Sequence, residues 1–203
     1  MVVESNPVQA TTGEKYTIRR KVFKVFGASF HVYGPDRQVV GYCRQKAFRL
    51  REDIRLYTGP DMGEELLRLN ARNIIDFSAT YDVSLPTGER LGSLRRKGMR
   101  SSFVRDSWLV FDENDNQAAT ITETGSAAML RRYVDLVAIL SPQRYEVKRS
   151  SDGAVLARFR QHFNPWVFRL GVSIDADDPV LDELVILGAA CLIAAIEGRE
   201  YRR

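Results

Sequence analysis

Asp178-Pro179-Val180-Leu181-Asp182-Glu183-Leu184-Val185-Ile186-Leu187-Gly188-Ala189-Ala190-Cys191-Leu192-Ile193-Ala194-Ala195-Ile196 decides how this chain folds. Asp178-Pro179 reads as a helix start, a capping carboxylate followed by a proline whose missing N–H costs nothing in the first turn. Asp182 and Glu183 then fall in that turn, where the helix dipole favours anions. From Leu184 to Ile196 no side chain is polar. Gly198, Arg199 and Arg202 read as the stop, with cations at the negative end.

A helix that is apolar on every side has to be surrounded. Thirteen apolar residues at about 1.5 Å each span roughly 20 Å, short of the ~30 Å hydrocarbon core of a bilayer. Protein is therefore the expected surrounding. A helix about 10 Å wide fits inside a closed barrel of more than eight strands, because eight leave room only for side chains. Gly188, Ala189, Ala190, Ala194 and Ala195 would let such a wall approach closely.

The rest of the chain supplies the wall. Five units repeat one pattern of strand, turn and strand. The turns are Gly34-Pro35-Asp36-Arg37, Gly59-Pro60-Asp61-Met62-Gly63, Pro86-Thr87-Gly88, Asp112–Asn116 and Ser151-Asp152-Gly153. Gly and Asn tolerate positive φ, and Pro presets a turn's second position. Tyr81, Val83 and Leu85 alternate with Asp82 and Ser84, as in a sheet wetted on one face. With the flanking segments Ile18–Val25 and Trp166–Ile174, the count is about twelve strands. The fold class is mainly β: a closed antiparallel barrel of about 12 strands around a buried apolar C-terminal helix. Between the fourth and fifth units, Ser126 to Leu140 has helical spacing and ends at Ser141-Pro142, which predicts a short amphipathic helix at the barrel mouth.

Composition agrees with a single globular domain of 203 residues, 44% hydrophobic and 28% charged. The expected organisation is a flexible tail over 1–15 and one barrel domain over 16–203. The net charge of +4 falls well below the density typical of nucleic-acid binding. Cys43 and Cys191 are too few for a secreted disulfide scaffold. The opening Met1-Val2-Val3-Glu4-Ser5-Asn6-Pro7 has no basic and apolar signal pattern. A cytoplasmic setting follows, with peripheral membrane association left open.

The order of these segments resembles the tubby C-terminal-like superfamily, which includes the phospholipid scramblases and the LURP-one-related proteins. Phe30-His31-Val32-Tyr33-Gly34-Pro35-Asp36-Arg37-Gln38-Val39-Val40-Gly41 is similar to the family's opening hairpin. Val110-Phe111-Asp112-Glu113-Asn114-Asp115-Asn116 through Ala119–Glu123 is similar to a later one. Asp175-Ala176-Asp177-Asp178 followed by Leu187–Ile193 is similar to the scramblase end segment. The resemblance covers residues 17 to 198 and the LURP-one-related or scramblase-like branch best. It implies a non-enzymatic, phospholipid-associated barrel. The proline-rich and cysteine-rich regions typical of scramblases do not occur here, and fold alone does not assign function.

The chain carries no familiar catalytic motif: no Gly-x-Ser-x-Gly, Walker loop, Cys-x-x-Cys or His-Glu-x-x-His. His31 and His162 have no companion at ligand spacing and read as ordinary barrel residues, and Trp108 and Trp166 as core or rim. No enzyme activity and no cofactor are expected. Two basic clusters, Arg95, Arg96, Lys97 and Arg100, and Arg19, Arg20, Lys21 and Lys24, are the candidate lipid head-group sites. Each basic residue near an anionic membrane is worth about 1 kcal/mol. Their plainer reading is solvated strand ends. Asp175, Asp177 and Asp178 are the candidate metal ligands, by likeness to the proposed calcium segment of scramblases. The positions an EF-hand reserves for Gly and Glu, counted from Asp175, hold Val180 and Ile186, so helix capping is the plainer reading. A lipid- or protein-binding module leads, with scramblase-type lipid transport and nucleic-acid binding as alternatives. The partner and oligomeric state are left open.

Overall fold

Five turns set the register of the wall, and each contains one residue at positive φ: Arg37 (62°), Met62 (55°), Gly88 (91°), Asp115 (64°) and Gly153 (75°). Three of them close with the same hydrogen bond across four residues. Gly34 N donates to Gln38 O at 2.9 Å, Leu85 N to Glu89 O at 2.8 Å and Asp112 N to Asn116 O at 2.9 Å. The ladder slips by one residue beside each of the five turns, between Val32/Tyr33, Leu56/Tyr57, Val83/Ser84, Val110/Phe111 and Val147/Lys148. A turn ending in a left-handed residue, followed by a bulge, produces this slip and adds the twist that a barrel needs.

The structure is a computed structural model. It describes residues 13–21, 28–45, 53–72, 79–97, 107–124, 142–162, 164 and 167–200. The helix expected over 126–140 lies outside the described residues, as do Lys24, Arg100, Trp166 and Arg202. The strands are β1 (Tyr16–Lys21), β2 (Ala28–Tyr33), β3 (Val39–Gln45), β4 (Asp53–Tyr57), β5 (Glu65–Ala71) and β6 (Thr80–Ser84). They continue as β7 (Arg90–Arg96), β8 (Ser107–Phe111), β9 (Gln117–Thr124), β10 (Arg144–Arg149), β11 (Val155–His162) and β12 (Val167–Ile174). Each pairs antiparallel with its chain neighbours, and β1 pairs with β12 to close the barrel.

The C-terminal helix, α1 (Glu183–Glu200), fills the lumen. Every residue from Val185 to Ala195 is buried, and the helix shares one core with Ile18, Phe30, Leu67, Leu69, Val83, Leu94, Ile121 and Leu170 of the wall. Burying a Leu or Ile fully contributes about 1.5–3 kcal/mol. Gly188 lets the helix come close to β5 and β6, since a Cβ there would stand 3.2 Å from Leu67 and 3.5 Å from Val83.

The helix begins one turn later than expected. Asp182 is the N-cap: its Oδ1 accepts from Leu184 N at 2.6 Å, and its carbonyl accepts from Val185 N at 3.0 Å. Asp178 caps the bend before it, accepting from Val180 N and Leu181 N at 2.9 Å each. The bend is explained by Leu181, which turns into the core at the residue before the cap, where an apolar side chain fixes the angle of entry. The expected tail is described from Gly13 onward, and its last residues are tied to the barrel. Lys15 N donates to Val172 O at 2.8 Å, and Lys15 Nζ lies 2.6 Å from Glu183.

Two outcomes follow from this packing. A Cβ at Gly92 would collide with the carbonyl oxygen of Phe111 on β8. Gly92→Ala is expected to lower stability by about 1–3 kcal/mol, read as a lower urea midpoint at unchanged slope. Burial pushes the Cys43 thiol up to about 12, and burial holds Cys191 well above the usual thiol value. Neither should react with a thiol reagent at neutral pH before unfolding, after which two thiols per chain should be counted.

Candidate functional site

Strand alternation decides which basic side chains reach solvent. Residues directly opposite in an antiparallel pair share a face of the sheet. Ile18 lies opposite Leu170, both buried in the core, so Arg20, two residues on and opposite Phe168, faces the lumen. Its guanidinium confirms this: Arg20 Nη1 donates to Ala194 O at 3.5 Å and Ala195 O at 3.3 Å, the last turns of α1. A cation at the negative end of a helix is favourable. Arg20 thus reaches backbone carbonyls of the central helix inside the lumen, which corrects its expected place in an outer head-group site.

The same parity turns Arg96 inward. It follows Leu94 by two, lies opposite the buried Trp108, and its guanidinium carbon is 5.9 Å from the Trp108 ring centre. Glu123 and Gln161 are also buried at this end, and Gln161 Oε1 accepts from Gln143 N at 3.1 Å. The lumen is therefore polar around the C-terminal end of α1. Arg95 does face outward, over the Phe111 ring at 4.7 Å, and Lys97 is exposed. Five strands separate β7 from β1 in either direction, so the two expected clusters lie on opposite sides of the barrel. Lys21 ends β1 opposite Val167.

The outer wall over β10, β11, β12 and β1 carries a cluster the sequence reading did not assemble. One cross-strand row runs Arg144, Arg160, Gly171, Thr17, Tyr33. The adjacent row runs His162, Arg169, Arg19, His31, Tyr42. Arg144 stands directly opposite Arg160, and Arg169 directly opposite Arg19. Like charges so placed cost roughly 0.2–1 kcal/mol per pair. Arg144 and Arg160 are exposed, and neither pairs with a carboxylate among the described residues. Arg19 lies 5.9 Å from the Tyr33 ring centre. Burial and the nearby Arg19 lower the Arg169 guanidinium from its ordinary value. The His31 and Tyr42 rings are 4.9 Å apart.

Glu146 on β10 stands on the same face, 3.0 Å from Lys148 and opposite Arg158, and a second carboxylate enters from outside the sheet. Glu14 Oε1 is 2.6 Å from His162 Nε2, and its side chain is only 5% exposed. The positive φ of Gly13 (97°) turns the chain at this point.

Elsewhere on the outer wall four arginines are paired with carboxylates. Arg72 and Arg90 share Asp82 and Asp115, with Arg72 to Asp82 at 2.7 Å and Arg90 to Asp82 at 3.0 Å. Arg90 and Arg72 hold the Asp115 carboxyl below the usual carboxylate range. Arg55 and Arg68 are matched by Asp53 and Glu65.

The acidic run serves structure. Asp178 is 4% exposed and takes Arg149 Nε at 2.5 Å beside its two backbone donors, and Asp175 pairs with Arg158 at 2.7 Å. Asp177 is exposed. Among the described residues no group of three metal-ligating side chains converges. A cleft of about 390 Å³ lies beside this run, lined by Asp112, Asn116, Arg149, Asp178 and Val180 among others. Its charged groups are engaged: Asp112 accepts from Asn114 N and Asn116 N, and Arg149 binds Asp178 and Asp152.

No protein-family model and no curated protein matches the chain. It is similar to a protein from Arabidopsis thaliana solved by X-ray crystallography, with a TM-score of 0.47 and 14% identity over 89% of this chain and 90% of that one. Among the described residues no helix is long and apolar enough to cross a membrane.

The different places of Arg20 and Arg160 give a direct check. Arg20→Ala should cost about 1–2 kcal/mol of stability by removing its hydrogen bonds to α1 in the lumen, while Arg160→Ala should leave stability unchanged or slightly raised by removing a like-charge pair. Paired denaturation curves of the two variants read both outcomes.

Proposed function

We propose that this chain is a non-enzymatic binding module that docks on anionic phospholipid surfaces through the outer wall of β10, β11, β12 and β1. The exposed, directly opposed pair Arg144–Arg160 carries the reading, with Arg169 and Arg19 opposed in the adjacent row. Such a pair works against folding, whereas Arg55, Arg68, Arg72 and Arg90 elsewhere on the wall each have carboxylate partners. Clustered guanidiniums suit phosphate oxygens, which they bind through paired, charge-assisted hydrogen bonds. Tyr33, His31 and Tyr42 extend the basic rows with rings that have an apolar body and a polar edge, suited to a membrane interface. The sequence resemblance supports the same direction, since tubby proteins bind phosphoinositides, and it favours a LURP-one-related or scramblase-like barrel in a cytoplasmic, peripheral setting.

Binding at the wall requires no change in the core. Moving lipid through a bilayer-inserted α1 would require Val185–Ala195 to leave a lumen in which all of them are buried, at about 1.5–3 kcal/mol for each large side chain. The docking reading is therefore preferred to the transport reading.

Flotation with vesicles containing phosphatidylserine or a phosphatidylinositol bisphosphate tests it. Wild type should bind in a salt-sensitive way, and Arg144→Glu with Arg160→Glu should weaken binding about tenfold or more. Arg95→Glu with Lys97→Glu, on the opposite side, should have the smaller effect. Binding that survives the first pair and is lost with the second would move the site to β7. Absence of binding to any vesicle would leave a protein partner as the reading to pursue.

A further inference from the structure

Glu14 lies against the arginine rows rather than in the sheet. Its carboxylate lies on the bare Cα of Gly171, at the centre of the first arginine row, with Arg160 on one flank and Thr17 on the other. Gly171 makes this possible, because a Cβ there would collide with all three carboxylate atoms of Glu14. From that seat Glu14 Oε1 reaches His162 at 2.6 Å. The fit is incomplete: Oε2 is buried with no hydrogen-bond partner. Leaving a buried acceptor without a donor is costly. A phosphate has more acceptor oxygens and up to twice the charge, so it would use the surrounding guanidiniums more fully.

We infer that Glu14 is a built-in, displaceable anion that occupies the arginine wall and must leave before an external phosphate group binds. The inference rests on the proposed wall as the binding site and adds its regulation. Glu14 competes for the same positive field, so it lowers the apparent affinity for phosphate by the fraction of time it is seated. The coupling is reciprocal: a ligand on the wall releases the segment around Glu14, and anything that draws that segment away tightens ligand binding. The rigid barrel presents the arginines in either state, and only the short stretch after Gly13 has to move.

Two variants that act by different means test this. Glu14→Ala removes the competing charge. Gly171→Ala keeps every charge and fills the seat with a methyl group. Vesicles containing a phosphatidylinositol bisphosphate and inositol hexakisphosphate in solution are the two probes, with melting curves confirming the fold. Glu14→Ala should bind about fivefold tighter than wild type, the value of roughly one charge near an anionic surface, and Gly171→Ala should also bind tighter. A gain with both probes assigns the site to phosphate on a head group as well as free. A gain with the soluble probe alone supports the displacement and assigns it to free phosphate. If Arg160→Glu abolishes binding while Glu14→Ala and Gly171→Ala bind as wild type or more weakly, Glu14 is no competitor and the inference falls, with the wall reading intact. If Arg160→Glu leaves binding unchanged, wall and inference fall together.

Discussion

Thirteen residues without a polar side chain, wound into one helix, must be kept from water on all sides, and the rest of the chain is arranged to satisfy that demand. A flat sheet would cover one face of α1 and leave the other wet. Closure of twelve strands covers every face, and it requires β1 to meet β12 although they are separated by nearly the whole chain. Small residues at Gly188, Ala189, Ala190, Ala194 and Ala195 keep the helix thin enough for this wall. The same closure forces the two ends of α1 to be settled inside the protein. Asp182 and the Glu183 ion pair hold the positive end, and Arg20 reaches backbone carbonyls nearer the other end.

Closure also sets the charge pattern outside. Every hairpin is local, so its partners could have been adjusted strand by strand, and Arg55, Arg68, Arg72 and Arg90 are matched by Asp53, Glu65, Asp82 and Asp115. At the seam, arginines from opposite ends of the chain are brought side by side. Arg19 from β1 meets Arg169 from β12, and Arg160 and Arg144 continue the field. Glu146 stands on the same wall beside Lys148, and Glu14 enters from outside the sheet.

The inward and outward arginines show how little separates a place in the lumen from a place on the surface. Arg19 and Arg20 are neighbours in sequence and alike in chemistry. One lies over Tyr33 on the outer surface, and the other reaches carbonyls of the helix in the lumen. Period-two alternation makes that division, and a shift of one residue would exchange the two.

Much of the architecture was legible in the amino-acid order, because its determinants are local. The unbroken apolar run to Ile196, the five turns with Gly, Asn, Asp or Pro, and the alternation of Tyr81, Val83 and Leu85 each depend on a few adjacent residues. The late helix start was missed because Leu181 turns into the core, which only packing reveals. Arg158, Arg160 and His162 alternate visibly along one strand, so half of the outer wall had a signal in the sequence that was open to reading. The other half had none: Arg169 meets Arg19, and Glu14 finds Gly171 and His162, only when the barrel closes. The sequence by itself determined a β-barrel around its own last helix, through turn chemistry and hydrophobic pattern. Tertiary structure alone decided which arginines face water and which of them meet, because facing is set by strand register and meeting by contacts between residues about 150 apart in the chain.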